Sequence, residues 1–274
     1  MSNAKNDKQA KVVLVTGVSS GIGQESARYL LERGMQIFGT VRNVNATSAS
    51  PGLHLVQMDV TDAESVHDAV QLVLAQAGRI DALVNNAGYV LSGALEETSI
   101  AEAQEQFDTN FFGILRVIQA VLPTMRQQQA GRIVNISSVL GFLPAPYMGI
   151  YGASKFAVEG YTETLDHEVR HFGIRALLVE PPYINTPLNT KGKHAAATLP
   201  EYAASRHQAT SAMNVYLRNA PGPQLVAAAV YQAITQPQPR LRYPVGEGVL
   251  LSRLRRFAPP YFLDRGIRTR FALK

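Results

Sequence analysis

The feature that most constrains this chain is an alternation of short apolar runs with stretches of helical spacing. Lys11 to Thr16 (KVVLVT) is apolar, too short for a stable helix, and ends at Gly17, which reads as a buried strand. Gly21 to Arg33 then carries apolar residues at helical spacing and stops at Gly34. Further strand-like runs are Met35 to Thr40, Leu53 to Met58, Ile80 to Val84, Arg132 to Ile136 and Ile174 to Glu180, with Leu241 to Val245 as a candidate last strand. Helices are expected from Thr61 or Asp62 to about Gln76 with Gly78 as terminator, from Ile100 to Gln128, from Ile150 to Phe172, and from Pro223 to Thr235. Pro123 lies inside the second of these and implies a kink or a break there.

Strands alternating with helices in this way give βαβ units and a parallel sheet covered on both faces. Right-handed crossovers make such a sheet doubly wound. We therefore expect an α/β chain with one Rossmann-type domain over residues 1–274. Asn185 to Pro221 has a weak pattern and reads as a mobile lid or insertion, and residues 246–274 as a variable C-terminal extension.

Composition narrows the function classes. The chain has 274 residues and no cysteine, so disulfides and cysteine-ligated metals are excluded and a cytoplasmic setting is favoured. The first eleven residues lack the apolar core of a secretory signal, and no apolar run is long enough for a membrane span. The net charge is +5, with Arg253, Arg255, Arg256, Arg265, Arg268, Arg270 and Lys274 facing only Asp264 near the C-terminus. Such a run suits a solvated surface, a phosphate-rich cofactor or an acidic lipid surface. A small molecule rather than a nucleic acid is the expected partner.

The first strand runs into Thr16-Gly17-Val18-Ser19-Ser20-Gly21-Ile22-Gly23 and then a helix. A pyrophosphate needs close backbone approach and N–H donors at a helix N-terminus, which Gly17, Ser19, Ser20, Gly21, Ile22 and Gly23 are placed to supply. The spacing G-x-x-x-G-x-G differs from G-x-G-x-x-G, and a plain strand-to-helix turn is the competing reading. Cofactor choice is decided at the end of the second strand, where the adenosine ribose lies. Thr40-Val41-Arg42-Asn43 offers no acid there, and Arg42 presents a planar fork of donors suited to a 2′-phosphate. NADP (NADPH) is therefore expected over NAD, unless Arg42 is a solvated loop residue.

Tyr151 and Lys155 are four apart at the start of a predicted helix and share a face. A tyrosine, with a pKa near ~10, is a poor base at neutral pH unless a nearby positive charge favours its phenolate. By spacing alone the pair could equally be a solvated helix face. Ser138, 13 residues earlier at a strand's carboxyl end, can donate to a developing oxyanion, with Ser137 as competitor. Asn110, on an apolar helix face, can hold a water near Lys155 or make a core hydrogen bond to backbone.

Together these residues resemble the short-chain dehydrogenases/reductases over about Val12 to Pro187. Thr16 to Gly23 is similar to the family's cofactor turn, Asp59-Val60 to its adenine-contacting pair, and Asn85-Asn86-Ala87-Gly88 to its NNAG motif. Asn110, Ser138, Tyr151 and Lys155 match its catalytic tetrad, and Arg42 falls where NADP-preferring members carry arginine. The resemblance implies seven parallel strands in the order 3-2-1-4-5-6-7, helices on both faces, and a homodimer or homotetramer. It implies Tyr151 as general acid or base, Lys155 as holder of the nicotinamide ribose, Ser138 on the substrate oxygen and Asn110 in a water relay. Pro181 and Thr186 belong to the expected cofactor set, whereas Pro182 stands where many members have glycine. Residues 86–97 look closer to members acting on steroids, retinoids and other lipophilic alcohols or ketones.

Pocket candidates are Tyr89, Leu91, Leu140, Phe142, Pro144, Met148, Tyr183 and Leu188. They are apolar or aromatic apart from the tyrosine hydroxyls, with no cation to clamp a carboxylate, which favours a lipophilic ketone, aldehyde or alcohol. His167 and His171 lack a third ligand, so no metal is expected. Val249 to Phe262 reads as a pocket wall or dimer contact ahead of a membrane contact, because Pro259-Pro260 breaks any continuous amphipathic helix. An epimerase- or dehydratase-type reaction on the same fold, or a non-catalytic dinucleotide sensor, are the alternatives. A sensor would be expected to lose Tyr151 or Lys155.

Overall fold

The computed structural model describes residues 10–48, 50–187 and 192–273. In chain order the elements are β1 (Val12–Thr16), α1 (Gly21–Leu31), β2 (Gln36–Val41), β3 (Leu53–Gln57), α2 (Ala63–Ala77), β4 (Ala82–Asn85), β5 (Leu91–Ser92), α3 (Ile100–Phe107), α4 (Gly113–Gln128), β6 (Gly131–Ile136), α5 (Gly149–Val169), β7 (Ile174–Glu180), β8 (Lys193–His194), α6 (Pro200–Arg218), α7 (Gln224–Thr235), β9 (Arg242–Pro244), α8 (Gly248–Phe257) and α9 (Pro260–Arg270). Seven strands form one parallel sheet in the order β3-β2-β1-β4-β6-β7-β9. Counted among themselves, these strands follow the expected 3-2-1-4-5-6-7.

The alternation of side chains along each strand explains why both faces are apolar. Val12 and Leu14 of β1 face a core built with α2, α4 and α5, including Val70, Val117, Val121 and Val158. Val13 and Val15 face the opposite core, built with α1 and α7, including Leu30, Val226 and Val230. A buried polar chain pins the middle of the sheet to α5. Asn85 Nδ2 donates to Asn135 Oδ1 at 2.8 Å, and Asn135 Nδ2 donates to Thr162 Oγ1 at 2.8 Å. Buried in apolar surroundings, unpaired amides would be costly, so this chain fixes register as well as position.

Helix boundaries follow local chemistry. Asp62 caps α2 by accepting from the backbone N–H of Glu64 and Ser65, and Gly78 ends it at φ 70°. The expected break at Pro123 is not where the long helix is interrupted: α4 runs unbroken through Pro123 to Gln128. The interruption is a π turn at Asp108–Phe112, which separates α3 from α4 and centres on Asn110. Such turns are a recurring device at functional sites.

The two C-terminal segments are more helical than their patterns suggest, and the second breaks at its prolines as expected. The patternless stretch Asn185 to Pro221 contains the 19-residue helix α6. Ahead of α6, β8 pairs in parallel with β5, matching Leu91 to Lys193 and Ser92 to His194. Residues 248–270 form the two helices α8 and α9, parted at Ala258 and Pro259. A third apolar cluster joins these segments to the strand ends, with Val90, Leu140, Met148, Tyr151, Ala209 and Phe271 buried together.

Candidate active site

A cleft of about 740 Å³ opens along the carboxyl ends of the parallel strands. This is the side on which open α/β sheets bind ligands. Its floor begins at the glycine turn after β1, where Gly17 and Gly21 take φ of 72° and 62°. Those angles strain any residue with a Cβ. At Gly23 an added Cβ would come 2.2 Å from the Gly17 carbonyl oxygen and 2.4 Å from Asn86 Nδ2. Gly23 therefore acts behind the cleft, letting α1 start tight against β1, rather than lining it. No side chain caps α1, so its first N–H groups face the cleft without a side-chain partner. A cradle of bare backbone donors with the positive end of a helix dipole fits a pyrophosphate.

The turn is held from beneath by the NNAG segment. Asn86 Nδ2 donates to the carbonyls of Thr16 (2.9 Å) and Gly17 (3.0 Å). Thr16 Oγ1 in return accepts from the backbone N–H of Asn86 and Ala87 at 2.9 and 3.0 Å. At the outer end, Arg42 is exposed at the cleft wall and makes no ion pair or hydrogen bond among the described residues. Asp59 lies opposite; the Thr61 backbone N–H and hydroxyl bond its carboxylate at 2.9 and 2.7 Å and hold its pKa below the ordinary value. Val60 lines the same end.

At the inner end the structure brings Asn110, Ser138, Tyr151 and Lys155 to one wall. Lys155 Nζ donates to the Ile136 carbonyl at 2.8 Å and sits 5.8 Å from the centre of the Tyr151 ring. Burial pushes the Lys155 ammonium down to about 8, with Glu159 opposing the shift. Burial pushes the Tyr151 phenol up to about 12, and a hydrogen bond with Ser138 pulls the other way. The expected lowering of the tyrosine by the lysine charge is therefore not the dominant effect: desolvation wins, because the phenol is enclosed by the third apolar cluster. A phenol that stays protonated at neutral pH is suited to donating a proton.

Asn110 makes the backbone hydrogen bonds that were one of the two roles expected of it. Its Oδ1 accepts from the Tyr89 N–H at 3.0 Å and its Nδ2 donates to the Tyr89 carbonyl at 2.9 Å. The side chain thus clamps the strand-end loop that carries Tyr89. Ser138 and Ser137 both reach the cleft wall; Ser138 Oγ accepts from the Leu140 N–H at 3.1 Å and is the serine that draws the Tyr151 pKa downward.

Most of the expected cofactor and pocket residues line this one cleft, including Ala87, Gly88, Tyr89, Leu140, Met148, Pro181, Tyr183 and Thr186. Leu91, Phe142 and Pro144 do not: Leu91 is buried in β5, Phe142 packs against the third cluster, and Pro144 is exposed. Leu188 lies outside the described residues. Pro182 is accommodated without a cis bond and lines the cleft beside Tyr183. His167 and His171 join no metal-binding group among the described residues.

Sequence reasoning missed the charges behind the site. Glu159 and Glu180 are buried, and both pair with Arg242, which also reaches Glu163 at 2.9 Å. Burial raises both carboxyls, Glu180 to about 7, while Arg242 opposes the shift in each. The available signal was spacing: Glu159 is one turn past Lys155 on the same face of α5. Phe271 was also missed, since nothing in the sequence ties residue 271 to residue 151.

A doubly wound parallel sheet with a glycine cradle at its first strand and a tyrosine–lysine–serine wall at its carboxyl edge defines a nucleotide-binding oxidoreductase. Residues 11–197 match the model of the family described as short chain dehydrogenase. The chain belongs to the short-chain dehydrogenase/reductase family. It is 36% identical over 270 residues to the 3-ketodihydrosphingosine reductase of Bacteroides thetaiotaomicron, covering 97% of this chain and 100% of that protein. A short-chain dehydrogenase/reductase from Burkholderia phymatum, solved with NAD, superimposes with a TM-score of 0.78 at 27% identity, covering 90% of this chain and 93% of that one. ElxO, solved with NADP bound, gives a TM-score of 0.71 at 29% identity, covering 84% and 93%.

Proposed function

We propose that this protein interconverts a lipophilic ketone or aldehyde and its alcohol with NADP(H). The observation that carries the reading is one continuous cleft with two unlike ends. The outer end offers backbone donors and the exposed Arg42 guanidinium, which has no ion pair or hydrogen bond among the described residues. The inner end sets the Tyr151 phenol beside Ser138, among Leu140, Met148 and Tyr183. The glycine cradle would hold the pyrophosphate, Arg42 the 2′-phosphate, Asp59 and Val60 the adenine side, and Lys155 the nicotinamide ribose. When bound, the dinucleotide supplies or accepts the hydride. Relatives solved with NAD and with NADP exist on this fold. The choice here rests on Arg42 and on the lack of an acid at Thr40–Asn43.

In reduction, Ser138 and Tyr151 donate hydrogen bonds to the substrate oxygen, and Tyr151 delivers its proton as negative charge builds there. Lys155 keeps a positive charge near the developing phenolate below a pH of about 8. Asn110 holds the Tyr89 loop and so shapes the wall against which the substrate lies. The apolar inner end excludes water and accepts hydrocarbon. The similarity to a 3-ketodihydrosphingosine reductase supports a long-chain ketone as the first substrate to assay.

The test is NADPH consumption, followed by nicotinamide absorbance, against a panel of lipophilic ketones that includes a long-chain 3-keto base. Tyr151→Phe should lower turnover by roughly 10³-fold while leaving NADPH affinity in place. Turnover that survives this change would overturn the assignment.

A further inference from the structure

We infer that the α8–α9 hairpin is a membrane-surface anchor that docks the protein on anionic lipid. The inner side of the hairpin is spoken for, since Leu251, Ile267 and Leu273 pack against the cluster that holds Tyr151 and Phe271. Its outer side is not. Leu250, Leu254 and Phe257 follow one another along one face of α8 and are 61, 41 and 77% exposed. The connection to α9 continues that face with Ala258, Pro259 and Pro260, and then Tyr261 and Phe262, which are 66 and 64% exposed. Large side chains held this far out in water form a contiguous patch that calls for an apolar neighbour.

The charge around the patch selects the neighbour. Arg253, Arg255, Arg256, Arg265 and Arg268 are all exposed, and Asp264 is the acid among them. None of the five arginines has an ion pair among the described residues; Arg270, which does, is turned inward to Glu247 at 2.9 Å. A two-fold contact with a second copy would press this arginine ring against itself, which like charges oppose. An anionic bilayer satisfies both features: aromatic tips enter the headgroup boundary while arginines meet lipid phosphates. The two prolines end α8 and start α9, so the aromatics sit at a blunt tip instead of along one continuous helix. The inner side of the hairpin packs on the cluster that holds Tyr151, so docking would place that end of the cleft on the lipid-facing side of the molecule.

The chain has no tryptophan, so a single Phe262→Trp substitution makes a clean reporter of the tip. Full-length protein should float with phosphatidylglycerol-rich vesicles, bind phosphatidylcholine vesicles roughly tenfold more weakly, and release from the former in high salt. Emission from the introduced indole should shift to the blue on binding. A Phe257→Ser, Tyr261→Ser, Phe262→Ser triple variant should lose vesicle binding yet keep the parent's circular dichroism spectrum and thermal melting midpoint, which shows that it is folded. Equal affinity for both vesicle types, or flotation unchanged in the triple variant, would overturn the anchor. So would a parent dimer in sedimentation that the triple variant converts to monomer without any vesicle binding, because the patch would then be a subunit contact. None of these results depends on which ketone the protein reduces.

Discussion

The two halves of the cleft, the glycine turn after β1 and the wall around Tyr151, are built by different means. The first half uses close backbone approach. Gly17, Gly21 and Gly23 bring a helix start, a strand end and Asn86 into contact, leaving no room for side chains. The second half uses side chains from distant segments. Tyr183 stacks on Tyr216 at 6.5 Å, Arg270 lies 4.2 Å from the Tyr216 ring, and Phe271 reaches the cluster around Tyr151. A site made of backbone is intolerant of added atoms but indifferent to sequence elsewhere. A site made of side chains can change its substrate by exchanging them.

The largest effect expected on this contrast comes where the halves are tied together. Arg242→Ala leaves Glu159 and Glu180 buried without their shared cation and should cost about 3–5 kcal/mol, read as a fall in denaturant midpoint. A cost near zero would mean that the carboxyls simply take up protons and that β9 is not the tie. Next, Gly23→Ala should lower NADPH affinity or stability by about 2–3 kcal/mol, since its Cβ collides with backbone. Its counterpart Gly266→Ala, where nothing lies within 4 Å in α9, should instead add up to about 1 kcal/mol of stability. Equal effects at the two glycines would erase the distinction drawn between the halves.

Arg42→Ala should weaken NADPH by about 1.5–3 kcal/mol in a titration and leave NADH nearly unchanged. A wild-type preference for NADH would remove Arg42 from the site. The smallest effect concerns Lys155. Its pKa falls from 10.5 to about 8 on folding, so between those values the unfolded chain holds the proton that the folded chain has lost. Stability contributed by this group therefore rises with pH across that window, and below pH 8 the folded state bears the full cost of the buried ammonium. Lys155→Met should raise stability at pH 7 by about 1–2 kcal/mol after the lost bond to Ile136 is counted, while turnover collapses. The stability gain should fade between pH 8 and 10.5 in thermal melts.

The same contrast explains what could be read in advance. The strands, the glycine turn and the order of the parallel sheet follow from local patterns: apolar runs of strand length, positive-φ glycines, and helix caps such as Asp62 and Gly78. Tyr151, Lys155 and Ser138 were legible because their spacing places them at a helix start and a strand end. The helix α6 was not legible, since one residue along it, Ala209, is buried and an amphipathic stripe has little to show. The interruption of the long helix was misplaced because Pro123 is a strong local signal, whereas the π turn at Asn110 coincides with a long-range clamp on Tyr89 that has no local signature.

By itself, then, the sequence determined the parallel α/β sheet, the glycine turn that opens the cleft and the residues we propose for proton transfer, because each depends on local patterns in the chain. Tertiary structure decided the rest. It set the sign of the Tyr151 shift, since burial by Leu140, Met148 and Phe271 outweighs a lysine 5.8 Å away. It bonded Asn110 to the Tyr89 loop, and it split the C-terminal run into an inner face packed on the Tyr151 cluster and an outer face of aromatics and arginines. These outcomes rest on contacts between residues far apart in sequence, for which no local periodicity carries a signal.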